Sequence, residues 1–242
     1  MCYHNSQKAK TEQLAERYKV KKIKDPEKIK PVYHANAFGF RPWPVITDAE
    51  PDTLQAMQWG LIPAWARSHE EAMKLRTNTL NARIETIFEK PSFREASQTR
   101  HCLVPSTGFF EWQTLNGKKY PYFIYLKNEE IFSMAGIWET WTDKQSGEPQ
   151  HTFSILTTEA NPLMARIHNS KQRMPVILPK EAESEWLHKG FSETTIDAFT
   201  KPFDEKKMVA YTVSRLISEK NSDTPEVQKP YNYPEFMQTS LF

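Results

Sequence analysis

The run His101-Cys-Leu-Val-Pro-Ser-Thr-Gly-Phe-Phe-Glu-Trp-Gln113 is dense in β-branched and aromatic residues. That content marks half-buried strand. Two more stretches of the same kind follow at 120–126 and 131–138. Between the first two stands Asn116-Gly117. Both residues tolerate positive φ, so they suit a two-residue hairpin turn. Consecutive strands joined by a tight turn pair antiparallel. The centre of the chain therefore reads as a meander, not as alternating strand and crossover helix.

Working outward, residues 151–158 form a further strand, and Asn161-Pro162 opens a helix over 162–167 with Pro162 in its first turn. A strand at 174–179, short helices at 180–189 and 192–199, and a strand at 207–213 follow. On the N-terminal side, 10–19 reads as a surface helix and 31–46 as short strands broken by proline. Residues 54–65 hold a strand and then a Gly/Pro-marked loop, and 78–98 hold Asn78-Thr-Leu-Asn-Ala-Arg-Ile-Glu-Thr86 and then a helix-like stretch interrupted at Pro91. The expected fold class is α+β: a single domain with a barrel-like core of mostly antiparallel strands flanked by short helices. The domain is expected over 1–218, with 219–242 a polar tail packed on it or trailing from it.

The 242 residues are 38% hydrophobic and 12% aromatic, enough for a sizeable core. A net charge of +2 excludes a uniformly basic nucleic-acid binder and leaves room only for a local patch. The lysines at 19, 21, 22, 24, 28 and 30 fit a solvated face better than a phosphate track. No signal peptide and no run of the ~20 apolar residues that span a bilayer is expected. Cys2 and Cys102 have no metal-ligand spacing, so no metal and no cofactor are expected. A reducing cytoplasm is the expected location.

The chain opens Met1-Cys2-Tyr3-His4-Asn5. A small second side chain permits loss of the initiator methionine. Cys2 would then carry an α-amine and a thiol on adjacent carbons. The amine can form an imine with an aldehyde, and the thiol can close on it as a thiazolidine. With an amine near ~7.7–8.0 and a thiol near ~8.5, both nucleophiles are partly available at neutral pH.

Three further segments carry chemistry-bearing side chains. In extended conformation Asn81, Arg83 and Glu85 share a face. That face is either a structural Arg–Glu pair or a site where Asn81 donates to a reacting centre and Arg83 holds a phosphate. Glu111 lies between Phe110 and Trp112. It is either exposed by strand alternation or desolvated, with a raised pKa suited to acid–base work. His168 follows the 162–167 helix as a cap, a core residue or a functional imidazole. Trp59, Trp65, Phe109, Phe110 and Trp112 fill the core or, for one or two of them, stack bases at ~1–3 kcal/mol each.

Together these segments resemble the SRAP family, the SOS response-associated peptidases or abasic-site processing proteins. The resemblance runs from Met1-Cys2 through Trp59-Gly-Leu-Ile-Pro-Ala-Trp65, Asn81-Ala-Arg-Ile-Glu-Thr86, Arg100-His-Cys-Leu-Val-Pro105 and Gly108-Phe-Phe-Glu-Trp112. It continues through Ile155-Leu-Thr-Thr158, His168, Arg173-Met-Pro-Val-Ile-Leu178 and Val213-Ser-Arg215. The resemblance implies a barrel-like mixed fold and single-stranded DNA containing abasic sites as partner. It implies Cys2 crosslinked to the abasic aldehyde, Asn81 orienting the adduct, Glu111 assisting amine activation and proton transfer, and His168 opening the sugar ring. DNA contacts are expected from Trp59, Trp65, Arg83, Lys171 and Arg173. A monomer, nucleoid-associated when on DNA, and a peptidase step that removes residues ahead of the cysteine complete the expectation.

Two departures stand out. Tyr3-His4 replaces the Gly-Arg that often follows Met-Cys in this family. Asn169-Ser-Lys-Gln172 separates His168 from Arg173, where the family often runs His-Asp-Arg-Met-Pro. Lys171 supplies a cation within that insertion. Two other readings use the same residues: an N-terminal-nucleophile amidohydrolase, in which Cys2 attacks an amide, and a non-covalent single-strand binder with Cys2 idle.

Overall fold

The computed structural model describes residues 2–187 and 193–237. The expected loss of Met1, the end of the tail at 238–242 and the junction at 188–192 lie outside them. The described strands are β1 His4–Gln7, β2 Lys22–Ile23, β3 Val32–Asn36, β4 Pro42–Thr47, β5 Thr53–Trp59, β6 Asn81–Arg83, β7 His101–Ser106, β8 Gly108–Leu115, β9 Lys118–Leu126, β10 Phe132–Thr142, β11 Pro149–Glu159, β12 Arg173–Pro175, β13 Ile177–Leu178 and β14 Met208–Thr212.

Strands β11, β10, β7, β4 and β5 pair in that order, and a parallel β11–β5 pairing at Thr152–Gln58 and Phe153–Trp59 closes them into a five-stranded barrel. A second sheet, ordered β14-β9-β8-β1-β3, is antiparallel throughout. The fold is thus the expected α+β domain with a barrel at its core.

The run from His101 to Gln113 is two strands. β7 pairs with β10 and β4 in the barrel, while β8 pairs with β1 and β9 in the second sheet. The chain changes sheets at Thr107-Gly108. Gly108 has φ +157°, and a Cβ there would run into the Phe123 ring and approach the Ile124 carbonyl at 2.9 Å. Only glycine fits that crossing. Asn116 and Gly117 have φ of 50° and 75° and form the hairpin turn between β8 and β9.

One apolar cluster joins the barrel to the second sheet, with Trp43, Trp59, Met57 and Phe153 from the barrel and Phe109 and Ile124 from the sheet. Cys2 is buried within it. The buried tryptophans are also satisfied as donors. Trp43 donates to Pro105 O at 2.9 Å, Trp59 to Leu80 O at 2.8 Å and Trp141 to Ala66 O at 2.8 Å.

The helix Pro162–Ile167 starts where expected. The Asn161 side chain accepts the Met164 N–H at 2.8 Å, and Pro162 occupies the first turn. The helix His69–Arg76 was not expected; Ser68 caps its first turn by accepting the Glu71 N–H at 3.2 Å. The segment after β14 lies back over the second sheet. There Gln228 donates to Ser6 Oγ at 2.7 Å and to Tyr33 O at 2.9 Å. No helix among the described residues is long and apolar enough to cross a membrane.

Candidate active site

Four segments far apart in sequence meet at the Cys2 end of the apolar cluster. Cys2 precedes β1, which pairs with β8 in the register His4–Phe110. β8 carries Glu111. Alternation sends Phe109 into the barrel-facing cluster and Phe110 into a separate cluster with Phe123 and Val213. Glu111 is 4% exposed. The carboxylate is therefore desolvated rather than solvent-facing. β6 brings Asn81 in through parallel pairing with Ile155 of β11. His168 follows the last turn of the helix Pro162–Ile167.

The contacts are specific. Asn81 Nδ2 donates to the Cys2 carbonyl at 3.0 Å. The Cys2 thiol lies beside the Glu111 carboxyl. His168 Nε2 lies 3.7 Å from Glu111 Oε2. His168 Nδ1 is 2.8 Å from the Arg173 carbonyl, which can only accept. The proton of the neutral ring is therefore on Nδ1, and Nε2 faces Glu111 unprotonated.

Burial pushes the Glu111 carboxyl up to about 7, against hydrogen bonds from the Cys2 thiol and the Trp112 N–H. Burial pushes His168 down to about 4. The two are therefore not a standing ion pair at neutral pH, despite their proximity. Burial, with the Glu111 charge second, pushes the Cys2 thiol well above its usual range. The resting thiol is protonated and needs a base to react, and the neighbouring carboxylate is the group matched to that task. Asn81 Oδ1 and Glu111 Oε1 are buried and have no partner among the described residues. Both are acceptors open to a substrate hydroxyl or amine.

Glu111 and His168 line a cleft of about 1060 Å³. Its cations are Arg41, Lys119, Lys171 and Lys220; its other carboxylates are Glu219 and Asp223. Arg41 is tied to Asp223 at 2.9 Å. Of the expected DNA contacts, Lys171 alone lines this cleft.

The other four stand elsewhere. Trp59 is 2% exposed and packs between Trp43 and Phe153, so it has no free face for a base. That corrects its expected stacking role. Trp65 is 44% exposed, with its indole N–H on Pro91 O, and does not line the cleft. Arg83 is exposed at the end of β6. The chain turns into a 3-10 helix at Ile84–Thr86, so Asn81, Arg83 and Glu85 do not form one extended face.

Glu85 pairs instead with Arg173. The guanidinium grips both carboxylate oxygens at 2.7 and 2.8 Å and donates to Thr157 O at 2.6 Å. This corrects Arg173 as a DNA contact, because the residue is buried and both terminal guanidinium nitrogens are held inside the protein. The insertion between His168 and Arg173 folds back compactly, with Gln172 N–H donating to His168 O at 2.8 Å. Asn169 clamps β8 by accepting the Thr114 N–H at 3.0 Å and donating to the Thr114 carbonyl at 2.8 Å. The turn brings the Arg173 carbonyl onto His168.

Arg41, Lys119 and Lys220 had no local signature in the sequence beyond charge. The N-terminal lysines pair locally, Lys21 with Asp52 and Lys24 with Glu50, and none of those lysines lines the cleft.

The barrel and this constellation define a single-domain protein with a buried cysteine set against a buried carboxyl and a buried imidazole. The family model of the SOS response associated peptidases (SRAP) matches residues 1–220, and the chain belongs to that family. It is 39% identical over 185 residues to the abasic site processing protein YoqW of Bacillus subtilis, covering 76% of this chain and 79% of that one. It is 32% identical over 204 residues to the abasic site processing protein HMCES of Gallus gallus, covering 76% of this chain and 59% of that one. The crystal structure of a protein from Bacteroides thetaiotaomicron superposes with a TM-score of 0.90 at 45% identity, covering 96% of this chain and all 100% of that one.

Proposed function

We propose that this chain processes abasic sites in single-stranded DNA by forming a thiazolidine crosslink through Cys2, once Met1 has been removed. The observation that carries this reading is the convergence of Asn81, Glu111 and His168 on Cys2. The names of the relatives support the substrate class.

In this mechanism, His168 Nε2 takes the hydroxyl proton of the abasic sugar as the bond from C1′ to the ring oxygen breaks, and the proton is returned to that oxygen, leaving the open aldehyde. The Cys2 amine adds to the aldehyde carbon. Loss of one water leaves a C=N bond, and Glu111 in its protonated form supplies the proton that the departing hydroxyl needs. The thiol proton then passes to Glu111, sulfur bonds to the imine carbon, and nitrogen takes up a proton as the C=N bond becomes single. The net loss is one water. Asn81, held on the Cys2 carbonyl, orients the amine and thiol toward the same carbon. The cleft cations meet the phosphates.

The same reading makes the protein a cofactor-free monomer of the cytoplasm that joins the nucleoid on DNA. The peptidase step is the cleavage ahead of Cys2, and the crosslinking is lyase-like in using an imine.

The test is a denaturing gel after mixing the protein with a single-stranded oligonucleotide carrying one abasic site, paired with intact mass. A heat-stable shifted band from protein lacking Met1 is expected. No covalent shift, or full crosslinking by protein that retains Met1, overturns the mechanism. Ammonia release from glutamine in place of a shift would favour the amidohydrolase reading. Binding indifferent to the abasic site, with no covalent product, would favour a plain single-strand binder.

A further inference from the structure

The cleft has a second row of polar groups that the crosslinking chemistry leaves unused. His4 Nδ1 and His34 Nε2 are 2.7 Å apart, and His34 Nδ1 is 2.6 Å from Ser222 Oγ. All three residues line the cleft. The two rings are parallel within 3°; Trp112 meets His4 edge-on at 4.6 Å and Phe110 meets His34 edge-on at 5.3 Å. Ser222 comes from the segment beyond the family match at 1–220. Asp223 anchors that segment by accepting the backbone N–H groups of Tyr33 and His34 at 2.8 and 3.2 Å.

The direction of the chain follows from the serine. Ser222 is 6% exposed, and among the described residues its hydroxyl has no partner other than His34. Accepting from His34 would leave its own proton without a partner among the described residues, on a residue only 6% exposed, at a desolvation penalty. The hydroxyl therefore donates to His34 Nδ1. His34 then carries its proton on Nε2 and donates to His4 Nδ1. His4 in turn carries its proton on Nε2, which has no partner among the described residues. Burial, aided by the neighbouring ring, pushes His4 down to about 3, and burial pushes His34 down to about 4, so both rings stay neutral.

We propose that Ser222, His34 and His4 form a tautomer-locking relay that presents His4 Nε2–H to a phosphodiester oxygen of the bound strand. This rests on the DNA reading above. A phosphate oxygen is the acceptor that suits a fixed neutral donor beside Arg41, Lys119, Lys171 and Lys220. The nearby carboxylates Glu219 and Asp223 make a donor without charge useful. It selects an acceptor without adding to the general attraction for anions.

The experiment combines ring nitrogen-15 spectra with binding of a single-stranded oligonucleotide containing a tetrahydrofuran abasic analogue, which cannot crosslink. Wild type should show both rings as Nε2–H tautomers. Ser222→Ala should mix the tautomers and weaken binding, and His4→Phe should weaken it roughly ten- to hundredfold, the worth of one hydrogen bond to a charged group. His4→Gln, which keeps an N–H donor at a similar reach, should restore most of the affinity. The salt slope of Ser222→Ala should match wild type, because no charge is lost. A bare His4 Nε2 in wild type, or His4→Phe binding as tightly as wild type, overturns the relay. If wild type ignores the oligonucleotide, the DNA reading falls. Inorganic phosphate titration then decides the relay alone: a shift of the His4 Nε2 resonance sustains an anion-facing donor, and its absence refutes it.

Discussion

Replacing Glu111 with glutamine should make the protein more stable at alkaline pH while it slows crosslinking. The carboxyl titrates at about 7 in the fold against 4.5 for the free side chain, because burial disfavours its charged form. Between those values the folded state holds a proton that the unfolded state has released. Stability therefore falls as pH rises through that window, and it stays low above it. At ~1.36 kcal/mol per unit, the cost is negligible at pH 4, about 2 kcal/mol at pH 6 and about 3 kcal/mol above pH 8. Glutamine cannot ionise, so its stability relative to wild type should climb over the same window. For a chain of this size, 3 kcal/mol corresponds to roughly 6–12 °C in Tm. Thermal or urea unfolding from pH 4 to 8.5, with crosslinking rates on the same samples, reads both effects. The rate should drop about 10²-fold or more, the usual contribution of a positioned acid–base group. Parallel stability profiles would refute the burial argument. A wild-type rate would show that the carboxylate is structural.

Cys2→Ser keeps the amine but replaces the ring-closing nucleophile; it should lose the heat-stable adduct and yield one trapped by borohydride on a denaturing gel, because its imine survives. As much heat-stable product as wild type would mean that sulfur does not close the ring. Asn81→Ala removes the donor on the Cys2 carbonyl and should cut the single-turnover rate at least about tenfold, with a loss of only ~1–2 kcal/mol in stability. An unchanged rate would reduce Asn81 to a packing role. Arg173→Ala strips Glu85 and the Thr157 carbonyl of their partner and should cost about 2–4 kcal/mol in urea unfolding. A variant of full stability but weak DNA affinity would return Arg173 to the DNA surface.

The helix at Asn161-Pro162 and the turn at Asn116-Gly117 are readable in sequence because capping, fixed proline φ and positive-φ tolerance act within a few residues. The strands are readable because their side-chain content reflects burial along each segment. The one expected strand at 101–113 is two, since a sheet change at Gly108 is visible only when both sheets are assembled. Cys2, Asn81, Glu111 and His168 could be named from their motifs. Their union could not be, because it depends on barrel closure through β11 and β5 and on the β1–β8 pairing. Trp59 and Arg173 show why: a tryptophan or arginine in isolation looks the same whether it faces solvent or a partner. Trp59 lies against Phe153, and Arg173 grips Glu85 across 88 positions. The sequence by itself determined the local elements and the inventory of candidate groups: a thiol, a carboxyl, an imidazole and an amide. Only the tertiary structure decided which carboxylate loses its water, which cations share a cleft and which nitrogen of His168 carries the proton, because desolvation and hydrogen bonding depend on neighbours brought in from distant segments.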